Sequence, residues 1–539
     1  MRASHLFFRF GVWMLAVGVA AGPGFAQPNG GQTTPDETAN SKTDGSLYSL
    51  SGTVINAASG EPIRRAAVQL SGPSAGVALT DAGGHFVIEG LAEGSGFLTV
   101  VKPGFYNGEA SQTTAVRVGK DAPAVVLKLT PWGVISGRVT TKDEQPLEGF
   151  QIHTFVKQNV AGRLIWTDRP NQAQTNEDGE FRLVLPAGTY YVAVDQSAGT
   201  MLSQKGVPNA REQTFAKVFY PGVSDLASAT PIEIAPGQDA EANFTLSPEL
   251  MYQVSGTLSG PSNEVTGLTF ARKAGDDFDF TQNADVQDGK FQVKVPAGAY
   301  RVGGMTGEVE LTTPGATVVI HSDEADLQVP LHPAATIPVE IKKEQGAGGS
   351  ERKVPIEGII PGVMLQLVPV SQSNRGNNFW RGQAGGIPNV APGTYRLEIT
   401  TTGEWWVKSA QSGAVDLLSD DFTLTEGEQP EPIELTLRDG AGMVSGTISP
   451  AGDSSRVLVL LVQPHGTRNI VHAARAMQGN FAIPGIPPGD YVILALDGGD
   501  GVEYADPEIL NPYLSDAEHV TVQPHATVSV NLGLTSVKR

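Results

Sequence analysis

The stretch TNEDGEFRLVLPAGTYYVAV, residues 175–194, contains the pattern that decides the fold. Its Asp178-Gly179 pair is typical of a tight turn, because glycine takes positive φ without steric cost. After this pair, apolar and polar residues alternate over 181–185, and they alternate again after the PAG segment at 186–188. Such alternation is typical of β-strands. The stretch therefore predicts a β-hairpin.

The same unit recurs along the chain. A glycine-containing turn that leads into a phenylalanine occurs at 81–86, 288–291 and 479–481. A return strand follows each of these turns, at 96–100, 296–300 and 488–492, whereas 391–395 retains only this second half. We expect a chain built from copies of one β-module, with almost no amphipathic helix.

Composition limits the classes of protein to consider. A chain of 539 residues is too long for a single core, and its 64 glycines and 37 prolines suit turn-rich β-domains. The formal net charge of −20 disfavours binding to nucleic acid or to anionic membranes. Because the sequence has no cysteine, disulfides, thiolate metal sites and a cysteine nucleophile are excluded.

The N-terminal region reads as an export signal. Residues 1–26 have arginines at 2 and 9, an apolar stretch and a small residue before Gln27, which is typical of a cleaved signal peptide. The alternative is an uncleaved membrane anchor, but the apolar run is short for a span. Residues 27–46 contain no large apolar residue and predict a disordered linker. We expect a periplasmic or extracellular protein with no membrane span after signal removal.

The remaining chain divides into five predicted modules of ordinary domain size. Each has about seven short strands separated by turn signals, the pattern of a β-sandwich. Module four is the most degenerate, because it lacks the Ser-Gly opening of the others. The predicted boundaries are module one at 47–131, module two at 132–249 with an insertion at about 197–229, module three at 250–333, module four at 334–439 and module five at 440–539.

Three short motifs carry a resemblance to a known family. The Ser-Gly-x-Val opening, the Asp-Gly-x-Phe turn and the Pro-x-Gly-x-Tyr return resemble those of carboxypeptidase regulatory-like domains. In module one the resemblance covers 51–54, 60–63, 67–68, 80–86 and 102–105. It implies a transthyretin-like β-sandwich, also grouped with carbohydrate-binding-like folds. In that family the domains accompany zinc carboxypeptidases, precede outer-membrane receptors, or form arrays in secreted bacterial proteins, and the array fits this chain.

The sequence contains fragments of two kinds of metal-binding motif. His321 and Glu324 match the H-x-x-E zinc motif, but they fall in a predicted hairpin turn between the last two strands of module three. The acidic segments 176–180 and 497–501, the latter with Glu503 and Asp506 nearby, resemble parts of calcium loops without the full spacing. We therefore predict no metal, no cofactor and no catalytic residue.

The tryptophans of module four are the candidate ligand contacts. Trp380 lies in a polar, asparagine-rich segment, and Trp405 and Trp406 are adjacent, so on a strand their side chains point to opposite faces. An exposed indole suits the C–H face of a sugar ring. The alternative is that all three are ordinary core or edge residues.

These observations predict a non-catalytic extracytoplasmic binding or scaffold protein. Its expected ligand is a carbohydrate or another protein of the cell envelope. Two alternatives remain: a purely structural spacer, or an adaptor between envelope proteins. A zinc hydrolase is a remote third possibility that rests on His321 and Glu324 alone.

Overall fold

β-strands are the main secondary structure of the described chain. The computed structural model describes residues 47–537, apart from 73, 108–112, 161, 197–211, 261–264, 276, 307–308, 313–316, 334, 345–351, 354–362, 371–377, 381–385, 391, 402, 404, 426–427, 450–456, 466–467 and 478. The predicted all-β array of sandwiches is confirmed. The predicted signal peptide and linker lie outside the described residues. None of the helices in the described part is long and apolar enough to span a bilayer.

Module one consists of two four-stranded sheets that enclose a shared apolar core. The opening strand β1 pairs in parallel with the closing strand β8 and antiparallel with β4. The sheet orders are β4-β1-β8-β6 and β3-β2-β5-β7. The strands are β1 (Tyr48–Asn56), β2 (Ala67–Ser71), β3 (Gly76–Leu79), β4 (His85–Leu91), β5 (Gly94–Val101), β6 (Phe105–Tyr106), β7 (Thr114–Val118) and β8 (Val125–Pro131).

Module two repeats this arrangement and adds strands from its insertion. One sheet has the order β11-β10-β13-β15, and the other has the order β12-β9-β17. The strands are β9 (Gly133–Thr141), β10 (Phe150–Val160), β11 (Arg163–Gln174), β12 (Glu180–Leu185), β13 (Gly188–Gln196), β14 (Gln213–Phe215), β15 (Val218–Phe219), β16 (Ile232–Ile234), β17 (Asp239–Glu241) and β18 (Phe244–Leu246). Part of the predicted insertion, 197–211, lies outside the described residues.

The hairpin predicted over residues 175–194 is wrong. Both strands exist, but β12 pairs with β9 whereas β13 pairs with β10 in the other sheet. The segment between them therefore crosses from one sheet to the other. The physical reason is that β13 already has β10 on one side and β15 on the other, and its first residues pair with β16.

Module three forms a sheet system that also takes in β14 from module two. Strand β14 pairs antiparallel with the opening strand β19, which joins the two modules. The strands are β19 (Pro248–Ser259), β20 (Gly267–Ala274), β21 (Asp277–Gln287), β22 (Lys290–Pro296), β23 (Gly298–Thr306), β24 (Val309–Thr312), β25 (Val318–Ile320), β26 (Glu324–Pro330) and β27 (His332–Pro333). Here the Asp288-Gly289 turn does close a hairpin, with φ values of 51° and 70°.

Module four keeps the topology although it has lost the Ser-Gly sequence. Its strand β29 pairs in parallel with the closing strand β38, as β1 does with β8. The strands are β28 (Ala335–Ile337), β29 (Val339–Glu344), β30 (Arg352–Lys353), β31 (Val363–Pro369), β32 (Asn378–Trp380), β33 (Ile387–Val390), β34 (Gly393–Thr401), β35 (Trp405–Ser412), β36 (Val415–Asp416), β37 (Phe422–Leu424) and β38 (Ile433–Asp439).

Module five contains the α-helix that the sequence pattern did not predict. Strands β40 and β43 are apolar on both faces, and the face away from the core is covered by Leu510 and Tyr513 of this helix. Asp506 caps the helix by accepting a hydrogen bond from the Glu508 N–H. The elements are β39 (Gly442–Ser449), β40 (Val457–His465), β41 (Arg468–Arg475), β42 (Asn480–Ile486), β43 (Gly489–Asp497), α1 (Pro507–Leu514), β44 (Glu518–Val522) and β45 (Thr527–Ser536).

Close packing explains why the Ser-Gly opening needs glycine. A Cβ atom on Gly446 would lie 1.9 Å from the Val530 carbonyl oxygen and 3.1 Å from the ring of Phe481. That ring belongs to the turn motif, so the two motifs are packed against each other. The Ile448 N–H also donates to the Gly479 carbonyl in this turn. Equivalent Cβ contacts would arise at Gly52, Gly137 and Gly256.

The tyrosine of the Pro-x-Gly-x-Tyr return also has a structural role. In three modules its hydroxyl donates to the carbonyl of the residue four positions earlier. The pairs are Tyr190 to Pro186 at 2.9 Å, Tyr300 to Pro296 at 2.6 Å and Tyr491 to Pro487 at 2.7 Å. These repeated motifs therefore shape the fold of each module.

Buried apolar side chains form separate clusters within the residue ranges of the five modules. The residues from Tyr48 onward nevertheless form one compact unit that the contacts do not divide into five. The five boundaries stay a prediction.

Candidate binding cavity between modules four and five

A cavity of about 710 Å³ lies between modules four and five. One wall is formed by β34, the start of β35 and residues 417–420, and the other by parts of β41 and β42 and residues 504–505. Ligand pockets in proteins commonly measure roughly 300–1,000 Å³. The cavity is therefore large enough for a small molecule or part of a chain.

Strand alternation positions the side chains of the first wall. On β34, Tyr395 and Leu397 are buried in the core of module four. The intervening residues Arg396, Glu398 and Thr400 line the cavity. Successive side chains of a strand point to opposite faces, so one strand supplies both the core and the cavity wall.

The two basic residues of the cavity are already paired with carboxylates. Arg396 donates from Nε and Nη2 to Asp421 Oδ1, at 3.1 and 2.9 Å. Lys408 donates from Nζ to the two carboxylate oxygens of Glu344, at 2.7 and 2.8 Å. Pairing neutralises these cations, so the wall is better suited to a neutral polar ligand than to an anion.

His472 contributes a buried hydrogen-bonding atom without a partner. Its Nε2 atom is removed from solvent and has no hydrogen bond within the described part of the chain. Burial lowers the pKa of His472 to about 4, so the ring is neutral at pH 7. A buried polar atom left unpaired is costly, which makes it a candidate contact for a ligand.

Two further side chains of the cavity wall, Glu398 and Tyr504, have raised pKa values. Burial raises the pKa of Glu398, and the nearby Arg396 opposes this effect. Burial, together with the charge of Glu398, raises the pKa of Tyr504 to about 12. The Tyr504 hydroxyl is therefore a neutral group in the cavity wall at pH 7.

The three predicted tryptophans occupy different environments. Trp406 lines the cavity, and its Nε1 donates to the Asp439 carbonyl at 3.0 Å. Trp405 packs against the core of module four, with Lys343 Nζ 4.8 Å from its ring centre. Trp380 ends β32 where the backbone pairs with Leu365, and its side chain lies outside the described part. The structure thus brings only Trp406 to the cavity among the described indoles of this set.

The zinc-like tetrapeptide lies away from the cavity residues. His321 is exposed in the connection between β25 and β26. This connection is not the predicted hairpin turn, because β25 pairs with β23 while β26 pairs in parallel with β19. Within residues 47–537 with the gaps given above, no three histidine or acidic side chains are grouped as metal ligands.

The acidic residues near 497–506 make contacts within the protein. Asp500 pairs with Arg475 at 2.8 Å, and the Glu503 Oε1 atom accepts from the Leu164 N–H at 3.2 Å. Asp506 caps α1. These carboxylates therefore serve three separate structural contacts.

Sequence reasoning missed Glu398, His472 and Tyr504. The alternation along β34 could have identified Glu398 as facing away from the core. No motif marks His472 or Tyr504, because the cavity forms only when two modules meet.

Comparisons with solved structures give weak similarities to bacterial surface proteins. The Bacillus anthracis TIE protein is 10% identical over 90% of this chain and 68% of its own, with a TM-score of 0.15. The minor pilin GBS52 of Streptococcus agalactiae is 13% identical over 37% of this chain and 95% of its own, with a TM-score of 0.20. The major pilin subunit BcpA of Bacillus cereus is 12% identical over 73% of this chain and 99% of its own, with a TM-score of 0.14. At these TM-scores the matches carry no argument about function.

The search of curated proteins finds no match. A family match exists for the first module: residues 49–130 match the profile of the carboxypeptidase regulatory-like domain. The range agrees with the two sheets formed by β1 to β8. Module one is therefore similar in sequence to carboxypeptidase regulatory-like domains.

Proposed function

We propose that the protein is an exported, non-catalytic binding protein that holds a neutral carbohydrate in the cavity between modules four and five. The observation that carries the proposal is the position of Trp406 in the cavity wall. An indole face suits the C–H face of a sugar ring. Export follows from the predicted signal peptide at residues 1–26.

The polar groups around Trp406 support a neutral, hydroxyl-rich ligand. The neutral His472 ring offers an unpaired nitrogen, and Tyr504 and Glu398 add oxygen atoms. The basic residues are held in ion pairs, so the wall offers no unneutralised cation to attract an anion. Hydroxyl groups of a sugar can both donate to and accept from such a wall.

The expected affinity of one cavity is modest. A stacking contact contributes about 1 kcal/mol, and each net hydrogen bond contributes about 0.5–1.5 kcal/mol. Useful affinity in the envelope would then come from several copies of the protein on one glycan chain. A protein-binding scaffold is the second candidate.

We also propose that the protein has no catalytic activity. The recurring glycine, phenylalanine and tyrosine residues of the repeats are used in packing and in backbone hydrogen bonds. His321, one of the two residues that suggested a zinc enzyme, is exposed. Stoichiometric zinc in protein purified without chelator, lost in His321→Ala, would contradict this part.

Glycan binding tests the proposal directly. We would screen the mature protein, Trp406→Ala and the matched control Trp132→Ala on a glycan array. Trp132 is an equally large residue away from the cavity lining, and its ring centre lies 4.5 Å from that of Tyr106. We expect Trp406→Ala to weaken binding at least fivefold, which corresponds to the loss of about 1 kcal/mol, and Trp132→Ala to leave it unchanged.

Circular dichroism and melting temperature would confirm that each variant is folded. Trp380→Ala should be measured alongside these variants, because the sequence predicts Trp380 as a ligand contact and its side chain lies outside the described part. If the wild type binds no glycan, the carbohydrate proposal fails and the protein scaffold replaces it. If Trp406→Ala and Trp132→Ala behave alike, the ligand binds elsewhere.

A further inference from the structure

The β10–β11 hairpin of module two reaches modules four and five. Near its tip, Asn159 Nδ2 donates to the Val502 carbonyl at 2.6 Å. The Gly162 carbonyl accepts from the Ala505 N–H at 3.0 Å. The hairpin therefore holds the segment between β43 and α1, which includes a wall of the cavity.

A glycine at the tip is required by this contact. Gly162 has a φ of +81°, and a Cβ atom there would lie 2.6 Å from both the Ala505 nitrogen and the Tyr504 ring. Tyr504 and Ala505 both line the cavity. The backbone of the hairpin thus lies directly behind the cavity wall, closer than any side chain would permit.

A second contact from the same tip reaches the opposite wall. Arg163 Nη2 lies 3.4 Å from Asp421 Oδ2. The other oxygen of Asp421 accepts from Arg396, which lines the cavity on β34. Asp421 therefore forms ion pairs with both Arg396, which lines the cavity, and Arg163 at the hairpin tip in module two.

We propose that the tip of this hairpin, at residues 159–160 and 162–164, is a positioning element of the cavity between modules four and five. It fixes Tyr504 on one wall through Gly162 and orients Arg396 on the other through Arg163 and Asp421. The cavity is thus a product of three modules, although the hairpin acts from behind its walls. The inference does not depend on which ligand the cavity binds.

The physical argument concerns the segment that carries Tyr504. This segment lies between a short 3-10 turn at Gly499–Gly501 and α1. A connection of this kind gains order from contacts made by other parts of the chain. Three hydrogen bonds from module two end on Val502, Glu503 and Ala505. Without these bonds the backbone of 502–505 loses its contacts with module two, and Tyr504 is left to its packing in the apolar cluster of module five.

Hydrogen exchange of the whole mature protein, followed by mass spectrometry, tests this proposal without a ligand. The variant Gly162→Val places a side chain against Tyr504 and Ala505. The control Gly104→Val introduces the same side chain at a φ of +85° in module one, where a Cβ atom has no neighbour within 4 Å. We expect amides in 502–505 and 417–421 to exchange at least tenfold faster in Gly162→Val than in the control.

A second variant guards against general unfolding. Asn159→Ala removes the hydrogen bond to the Val502 carbonyl and the one accepted from the Gly162 N–H, without adding atoms, so the fold should survive. It should accelerate exchange in 502–505 while peptides of module one exchange at the wild-type rate. The proposal is overturned if 502–505 exchanges at the wild-type rate in both variants, or if acceleration spreads equally to module one in both. Failure of glycan binding would leave this result unaffected.

Discussion

At the residue scale, His472 gives a sharp expectation about pH. Its pKa is lowered to about 4 from an ordinary 6.5 because the ring is buried. Between pH 4 and pH 6.5, His472 binds a proton in the unfolded chain but stays neutral in the folded chain. The free energy of unfolding therefore falls as the pH is lowered from 6.5 to 4, by up to about 3 kcal/mol, and His472 has no such effect above pH 6.5.

An NMR titration of the histidine ring resonances measures this directly. The His472 signal, assigned by its loss in His472→Gln, should keep its neutral chemical shift down to about pH 5. A free histidine derivative in the same buffer provides the reference. A His472 ring that titrates near pH 6.5 would show that the ring is solvated and that the cavity is more open than described.

The residue scale also shows how far sequence alone could reach at the candidate site. Adjacent tryptophans on one strand predicted that one indole would leave the core, and Trp406 does line the cavity. His472 could not be predicted, because its burial depends on module four packing over β41. Because the cavity is formed by residues of two modules, the sequence of neither module contains a motif that marks it.

At the element scale, the paired opening and closing strands hold each module together. Strand β39 lies between β42 and β45, and Gly446 is in contact with both. A substitution to alanine would place a methyl group 1.9 Å from the Val530 carbonyl oxygen. The strands must then separate, because neither the backbone nor the Phe481 ring can be displaced cheaply.

We expect Gly446→Ala to destabilise module five by about 3 kcal/mol, the upper range for overpacking. The control is Gly533→Ala on β45, where a Cβ atom has no neighbour within 4 Å. Denaturant unfolding of the two variants should show a loss only for Gly446→Ala. Equal stabilities would mean that the opening glycine is not needed for the strand pairing.

Strand positions were easier to predict than strand partners. Alternation over 181–185 and 190–194 located β12 and β13, yet the two strands belong to different sheets. The pairing is decided by β13, which has β10 on one side and β15 on the other and whose first residues pair with β16. Such partners are far away in sequence, and a local turn signal cannot reveal them.

The missed helix has a different cause. Helix α1 has only eight residues and contains Pro512, so its apolar periodicity is weak. It is stabilised by packing on the outer face of β40 and β43 through Leu510 and Tyr513. Tertiary contact rather than local preference therefore decides this element.

At the scale of the whole molecule, the repeat pattern predicted the architecture. One motif set, repeated along the chain, indicated tandem β-sandwiches, and the sheets confirm that fold. The contacts between modules could not be predicted. Strand β14 extends into module three, and the tip of β10–β11 reaches modules four and five. Repeat motifs describe each copy separately and contain no information about how copies meet.

The central claim is that the cavity between modules four and five binds a neutral carbohydrate. The most direct test is hydrogen exchange of the mature protein with and without a glycan that binds on the array. The claim predicts protection of 396–400 on β34 together with 469–473 on β41 and 504–505. Protection confined to other modules, for example to 136–140 and 239–245 in module two, would contradict it.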